Sequence, residues 1–260
     1  MIANYHTHTE HCRHAIGSKR EYIEAAIAQG LDTLGFSDHV PMPYPGGYRP
    51  MGVRVPIDEL EEYVSSLCEL REEYADRIRI LIGFEAEYYP ALFEDMLNLL
   101  GQYPYDYLIM GQHYINNETD VPDSSSFAAH TDGDSLHLYV DQVLEGLSTG
   151  KFTYIAHPDV FNFQGDEQVY EREMRRLCQG CLKLGVPLEL NLLGLRYGRY
   201  YPSDRFFRIV GEVGNEVVLG CDAHRPCDMA VMENIEQGMQ MARKHGLNIV
   251  DRVTVRDPRA

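Results

Sequence analysis

The sequence predicts an α/β barrel of about seven strand–helix units. Short apolar runs alternate with longer segments of helical periodicity along the 260 residues, an order typical of right-handed βαβ units and a parallel sheet. Seven such runs favour a closed barrel over an open sheet. Candidate site residues follow six of the seven runs, as expected where the loops after barrel strands carry a site.

The predicted strands are short apolar runs that end at polar residues. The run 31–37 leads into Asp38 and His39, and the run 79–84 leads into Glu85. Strands that are buried on both faces of a parallel sheet are expected to be almost continuously apolar. The seven predicted strands are residues 2–5, 31–37, 79–84, 107–111, 152–156, 187–190 and 216–220, and an extended tail covers 247–255.

The predicted helices lie between these strands. Ser18 and Glu21 have the spacing of a capping box, and Gly30 ends the helix that they open. Ser203 caps a later helix. The helices are predicted from the Ser18 cap through about 29, and at 57–74, 92–100, 135–148, 168–184, 203–213 and 232–245. A Pro/Gly-rich loop at 40–56 is long enough to be functional, and a polar loop covers 116–134.

Composition limits the kinds of partner. The formal net charge is −17, and the sequence pI is about 5.0. Nucleic acids and anionic membranes are bound by basic patches, so this charge argues against both. Neither a signal-peptide-like run nor a membrane-spanning apolar run is found, which predicts a cytoplasmic protein. Without a linker or repeat to divide it, residues 1–260 are expected to form a single domain.

The six cysteines are predicted to be reduced thiols, because a domain of this size does not need disulfides for stability. Cys178 and Cys181 form a CxxC motif inside a predicted helix. No second CxxC is present to complete a zinc knuckle. A structural role is therefore favoured over metal or redox chemistry.

Histidines gather at the predicted strand ends. The strand 2–5 runs directly into His6 and His8, and residues two apart on a strand face the same side. Imidazole is a common ligand for zinc, iron and related ions. Asp222 and His224 repeat this spacing after the last strand. Four of the eleven histidines lie elsewhere and are predicted to be ordinary surface residues: His11, His130, His137 and His245.

The candidate metal ligands are too many for a single ion. Zinc usually takes four ligands and an octahedral ion takes six, so the set suits two or three ions that share a bridging carboxylate. Zinc, iron and manganese all accept such donors, and their identity stays open. The nine candidate ligands are His6, His8, His14, His39, Glu85, His113, His157, Asp222 and His224.

These motifs resemble the polymerase and histidinol phosphatase (PHP) superfamily along essentially the whole chain. Residues 12–17, the Gly-Phe-Ser-Asp-His-Val-Pro stretch and the chain length are similar to the monofunctional histidinol-phosphate phosphatases. The motifs that carry the resemblance are His6-Thr7-His8, Ser37-Asp38-His39, Gly83-Phe84-Glu85, Gln112-His113, Ala156-His157-Pro158-Asp159 and Cys221-Asp222-Ala223-His224.

The resemblance implies a distorted (β/α)7 barrel with a trinuclear site and hydrolysis of L-histidinol phosphate, a step of histidine biosynthesis. By the family pattern, Glu85 bridges two of the ions, and Glu85, Asp222 and His224 belong to the catalytic centre. One ion would be held by His6, His8, Glu85 and Asp222, a second by Glu85, His113 and His157, and a third by His14, His39 and His224.

Substrate contacts are expected from an arginine for the phosphate and from acidic or aromatic groups for the cationic leaving group. A guanidinium matches the geometry of phosphate. Arg196 is the best-placed arginine, with Arg199 and Arg54 as lesser candidates. Residues considered for the ammonium and imidazole groups are Asp38, Glu87, Asp159 and the tyrosines within 44–48.

Three other functions compete with this interpretation. The chain could be a PHP phosphoesterase that acts on nucleotides or other small phosphate esters. It could be an amidohydrolase-type metal hydrolase, a class whose sites often use a strand-end lysine that this sequence lacks. It could also be a non-catalytic metal-binding protein, although such a module would not need ligands from six strand ends.

Overall fold

The computed structural model describes residues 1–48, 52–119 and 124–260. Parts of both predicted loops, 49–51 and 120–123, lie outside the described residues. The strands are β1 (Ala3–Asn4), β2 (Thr33–His39), β3 (Arg79–Ala86), β4 (Tyr107–Met110), β5 (Phe152–Ile155), β6 (Leu188–Asn191), β7 (Glu216–Gly220) and β8 (Asn248–Ile249). The helices are α1 (Lys19–Ala28), α2 (Leu60–Glu73), α3 (Phe93–Leu100), α4 (Gly133–Ser148), α5 (Glu167–Leu184), α6 (Leu192–Arg196), α7 (Asp204–Val213) and α8 (Met232–His245).

The strands form one parallel sheet in sequential order from β1 to β8. All seven predicted strands are present, and the predicted extended tail contains the short eighth one. The barrel fold predicted from the sequence is confirmed. The short helix α6, which directly follows β6 and is capped by the Asn191 side chain, was not predicted. The predicted helix 57–74 begins with a 3-10 turn, Ile57–Glu59, before α2.

The barrel closes differently at its two ends, which makes it distorted. At the carboxyl ends of the strands, Thr7 forms a parallel bridge with Ala223, so the continuations of β1 and β7 meet directly. At the opposite end, β8 pairs with the start of β7. The tail then reaches β2, where the Arg252 guanidinium lies 2.7 Å from Asp32. Direct closure at one end brings the first and last ligand-bearing strands together.

Along β3, alternate residues face the barrel interior, and they change from apolar near the start of the strand to charged at its carboxyl end. Leu81 lies in the apolar floor, Gly83 faces the Tyr107 ring, and Glu85 stands at the top of β3, since residues two apart share a face. A Cβ atom on Gly83 would lie 2.4 Å from the Tyr107 ring. The Tyr107 hydroxyl in turn lies 2.7 Å from the Tyr5 carbonyl oxygen. The interior is therefore apolar below and polar above.

The cysteines are free thiols, as predicted. Cys178 and Cys181 are both buried in α5. Burial raises the pKa of the Cys181 thiol to about 12. A protonated, buried pair packs as small apolar side chains, in line with the structural role predicted for the CxxC motif. None of the helices in the described part of the chain combines the length and apolarity that crossing a bilayer requires.

Candidate metal centre

Glu85 lies at the centre of the candidate site. It ends the inward face of β3, is 1% exposed, and both of its carboxylate oxygens face imidazole nitrogens. Its Oε1 atom is 2.8 Å from His157 and 3.3 Å from His113. Its Oε2 atom is between 3.2 and 3.4 Å from nitrogens of the other three rings: His6, His8 and His39. One carboxylate thus lies between two groups of histidines.

Asp222 is the second carboxylate of the site, two residues after the end of β7. Its Oδ1 atom lies 3.3 Å from His8 Nε2 and 3.5 Å from His6 Nε2. Asp222 has φ 46° and His157 has φ 30°, a left-handed region that costs energy for residues other than glycine. Both strained residues are candidate ligands. Strain of this kind persists where the surrounding structure over-determines the position of the residue.

The remaining histidines lie toward the solvent side of the cluster. His14 Nε2 is 2.8 Å from His224 Nε2, and the His224 ring stacks on His8 with centroids 4.2 Å apart. The His39 ring stacks on His14 at 5.3 Å. The structure therefore brings all nine predicted ligands into one cluster at the carboxyl ends of the strands.

Several rings are oriented through the nitrogen that points away from the cluster. His6 Nδ1 lies 2.8 Å from Glu189, and His113 Nδ1 lies 2.9 Å from Glu87. The Nδ1 atoms of His14 and His224 face backbone carbonyl oxygens at 2.9 and 3.1 Å. Metal-binding histidines are commonly held in this way, because a partner on one nitrogen sets the tautomer and leaves the other nitrogen free for the ion.

The electrostatics of the cluster suit bound cations. Burial and, to a smaller extent, the neighbouring His224 lower the pKa of His8 to about 3. Burial alone would raise the pKa of Glu85, but the histidines around it, His39 foremost, hold that pKa well below its usual value. Both ring nitrogens of His8 are buried without a hydrogen-bond partner among the described residues. A neutral imidazole between two ionised carboxylates is a donor set that fits divalent ions.

A cavity of about 510 Å³ opens above the cluster. Arg199 and Arg225 lie at its rim, and both are exposed. Within the described ranges, no ion pair or hydrogen bond engages either guanidinium. Beside the histidines, four apolar or aromatic side chains line the cavity: Phe127, Leu193, Tyr197 and Tyr201.

The loop that carries Phe127 is held firmly beside the site. The Phe127 ring lies parallel to His113, with centroids 5.7 Å apart. His130 anchors the loop, since its Nε2 atom lies 2.9 Å from the Ser125 carbonyl oxygen and its ring stacks on Phe161 at 4.5 Å. The prediction of His130 as a surface residue is therefore wrong. His11 is also buried, against the same prediction, and its Nε2 atom lies 2.7 Å from Lys19 Nζ.

Arg196 does not enter the cavity. Its guanidinium lies 2.6 Å from the Asp228 carbonyl oxygen and 3.2 Å from the Asp228 carboxylate, and its Nε donates to Asn234 at 3.2 Å. These partners turn the side chain toward α8. The geometry therefore does not support Arg196 as the phosphate contact. Arg54 is also engaged, because it is buried between Glu87 and Glu118.

The predicted acidic substrate contacts are likewise occupied or turned away. Glu87 faces His113 with one oxygen and accepts from Arg54 at 2.8 Å with the other, so it orients a candidate ligand. Asp159 is buried, accepts from the Ser203 backbone N–H at 2.6 Å and is absent from the cavity wall. Asp38 accepts from Thr9 and is fully buried. The geometry does not support direct substrate contact by these three carboxylates.

Three residues in or beside the site were not predicted from the sequence: Glu189, Arg225 and Phe127. Glu189 left a signal, since a charged residue inside the apolar strand β6 is unusual for a buried parallel sheet. Arg225 directly follows the Asp222–His224 motif, but many arginines of this chain lie on the surface. Phe127 left no signal, because it belongs to a loop whose path depends on distant contacts.

Comparison with known proteins agrees with this geometry. The sequence matches the PHP domain over residues 4–192. It is 31% identical over 233 residues to a probable histidinol-phosphatase of Deinococcus radiodurans, with 86% of this chain and 87% of that protein covered. It is 25% identical over 256 residues to the histidinol-phosphatase of Bacillus subtilis, with 86% of this chain and 94% of that protein covered.

A solved structure shows the same fold. The histidinol phosphate phosphatase of Lactococcus lactis, in complex with zinc, L-histidinol and phosphate, superimposes with a TM-score of 0.71 at 18% identity, covering 98% of this chain and 97% of that one. The chain therefore belongs to the PHP-domain family, among its histidinol-phosphatase members.

Proposed function

We propose that this protein is a metal-dependent phosphate monoester hydrolase that converts L-histidinol phosphate to L-histidinol and phosphate, a step of histidine biosynthesis. The relatives named above are histidinol-phosphatases. The observation that carries the proposal is Glu85, whose two oxygens face five imidazole nitrogens between 2.8 and 3.4 Å away. This arrangement suits a bridging carboxylate in a site of two or three ions.

The nine clustered side chains would hold these ions. The assignment follows the two faces of Glu85: His113 and His157 on the Oε1 side, and His6, His8 and Asp222 on the Oε2 side. His14, His39 and His224 would hold a third ion nearer the cavity. Zinc, iron and manganese are all compatible with this donor set. Bound divalent ions would lower the pKa of a water molecule and neutralise phosphate charge.

The chain's own side chains would bind and orient the substrate around that centre. Arg199 and Arg225 would contact the phosphate oxygens, because unpaired guanidinium groups at the rim match phosphate in charge and shape. Phe127 and Tyr197 would contact the imidazole-bearing leaving group with their rings. Glu85, Asp222 and His224 would form the catalytic centre at the cavity floor.

Phosphate release from L-histidinol phosphate, beside a panel of nucleotide and sugar monoesters, tests this proposal. Metal content is determined on the same sample. We expect selective turnover of L-histidinol phosphate with two to three ions per chain. If the protein binds ions but hydrolyses a different ester, the proposed substrate is wrong and the proposed metal centre stands. Fully metallated protein without hydrolysis of any ester would contradict the enzymatic function.

A further inference from the structure

The Glu189 carboxylate, which has no role in the function proposed above, lies buried directly beneath the candidate metal centre. Glu189 is in the middle of β6, points into the barrel and is 0% exposed. Its Oε1 atom faces His6 Nδ1 at 2.8 Å. Its Oε2 atom accepts from the His157 backbone N–H at 2.9 Å and from the Asn191 side-chain amide at 2.9 Å. Three donors thus converge on one carboxylate.

Each of these donors leads to a different candidate ligand. His6 stands at the end of β1, and its Nε2 atom faces Glu85 and Asp222. The His157 N–H belongs to a residue with φ 30°, so Glu189 supports the strained backbone that directs this ring. The Asn191 amide also donates to Asp222 at 3.1 Å. Glu189 therefore connects ligands from β1, β5 and β7.

The neighbouring strand leaves room for this carboxylate through a glycine. Gly220 pairs with Asn191 in the sheet, and a Cβ atom on it would lie 1.8 Å from Glu189 Oε1. The same arrangement surrounds Glu85, where a Cβ atom on Gly111 would lie 1.9 Å from Glu85 Oε1. Neither glycine has a positive φ. The space for the carboxylate, and not backbone freedom, explains glycine at both positions.

We propose that Glu189 is a positioning residue that orients His6, His157 and Asp222 for metal binding. The role rests on the proposed metal centre and is independent of the substrate. As an acceptor for His6 Nδ1–H, Glu189 sets the tautomer that leaves Nε2 free for an ion. A glutamine cannot replace it, because one amide oxygen and one amide NH₂ would face three donors. If the glutamine NH₂ faced His6 Nδ1, the imidazole proton of His6 would move to Nε2 and block that nitrogen for metal binding.

The test measures zinc binding to metal-free protein by competition with a chromophoric chelator, together with the thermal midpoint in the absence of metal. Glu189→Gln is expected to weaken zinc binding at one or more sites about 10- to 100-fold. Gly220→Ala keeps the carboxylate but displaces it, and it is expected to weaken zinc binding as well. Glu173→Gln is the matched control, since Glu173 is a buried carboxylate of α5 remote from the cluster, and its zinc affinity should equal that of the wild type.

Three results would overturn the role. Glu189→Gln could bind zinc with wild-type affinity and stoichiometry while its metal-free midpoint falls, which would make Glu189 purely structural. An equal loss of affinity in Glu173→Gln would attribute the effect to general destabilisation. A wild-type protein that takes up no zinc, manganese or iron would remove the centre that Glu189 is proposed to orient. A different outcome would separate this role from the proposed substrate. If Glu189→Gln lost zinc affinity but the wild type did not hydrolyse L-histidinol phosphate, the proposed substrate would be contradicted and the role of Glu189 would stand.

Discussion

At the scale of single residues, the two arginines Arg196 and Arg199 show how neighbours in sequence acquire different roles. Arg196 ends α6 and pairs with Asp228 and Asn234. Arg199 lies three positions later, at the rim of the cavity. A paired guanidinium stabilises the fold, whereas an unpaired one beside the candidate metal centre remains available to an anion. The pair therefore provides a matched comparison between a structural arginine and a proposed substrate contact.

Arg199→Ala is expected to raise KM for L-histidinol phosphate about 10-fold or more, because a charged hydrogen bond to phosphate contributes about 1.5–3 kcal/mol. Arg196→Ala should leave KM nearly unchanged. It should instead lower the free energy of unfolding by about 1–3 kcal/mol, since the buried Asp228 loses its partner. Steady-state kinetics and urea unfolding measure both effects. A raised KM in Arg196→Ala, with Arg199→Ala unaffected, would restore Arg196 as the phosphate contact.

At the scale of elements, α4 and α5 are joined through a carboxylate. Glu173 of α5 is 2% exposed and faces Arg172 and Arg176 at 2.9 Å and His137 of α4 at 3.1 Å. Burial raises the pKa of Glu173, but hydrogen bonds from these three side chains outweigh it and hold the pKa below its usual value. The charged form of Glu173 therefore stabilises the packing of the two helices.

Glu173→Gln is expected to lower the free energy of unfolding at pH 7 by about 1 kcal/mol, a figure reduced by the exposure of the arginine partners. The folded-state pKa lies below the unfolded value of about 4.3. The stabilisation is thus complete above that pH and is lost as the pH falls toward the folded-state pKa. Urea unfolding should show a smaller difference in the free energy of unfolding between the wild type and Glu173→Gln at pH 3.5 than at pH 7. The control is Glu167→Gln, whose exposed ion pair with Arg205 should contribute only a few tenths of a kcal/mol. If Glu173→Gln were destabilised as much at pH 3.5 as at pH 7, the result would argue against an effect of the Glu173 charge.

At the scale of the whole molecule, closure of the barrel concentrates ligands that are far apart in the chain. Direct pairing of Thr7 with Ala223 places His6 and His8 beside Asp222 and His224, although more than 200 residues separate them. The ligand set exists only in the folded chain. Metal binding is therefore expected to stabilise the fold, since an ion that binds the native state alone shifts the unfolding equilibrium.

Removal of metal with EDTA is expected to lower the thermal midpoint, and added zinc or manganese should restore it. Free ion at about 100 times its dissociation constant would contribute about 2.7 kcal/mol. Differential scanning calorimetry at several metal concentrations measures the shift, and EDTA already saturated with zinc serves as the control. A midpoint that is identical with and without chelator would argue against ions bound by the nine clustered residues.

The sequence by itself determined the fold class, the order of the first seven strands and of the helices other than α6, and the choice of the nine candidate ligands. These features depend on local periodicity, on caps such as Ser18 with Glu21, and on polar residues that end apolar strands. A parallel barrel gathers all carboxyl ends at one rim, so strand-end positions imply proximity without knowledge of side-chain contacts.

Only the tertiary structure decided which of the surrounding residues face the cavity. Arg196 and Glu87 have the chemistry of substrate contacts, but Asp228 and Arg54 engage them from segments about 30 residues away. Glu189 acquired its position beneath His6 through pairing of β6 with the glycine-bearing β7. The direction of a side chain depends on partners brought together by folding, and local sequence carries little information about those partners.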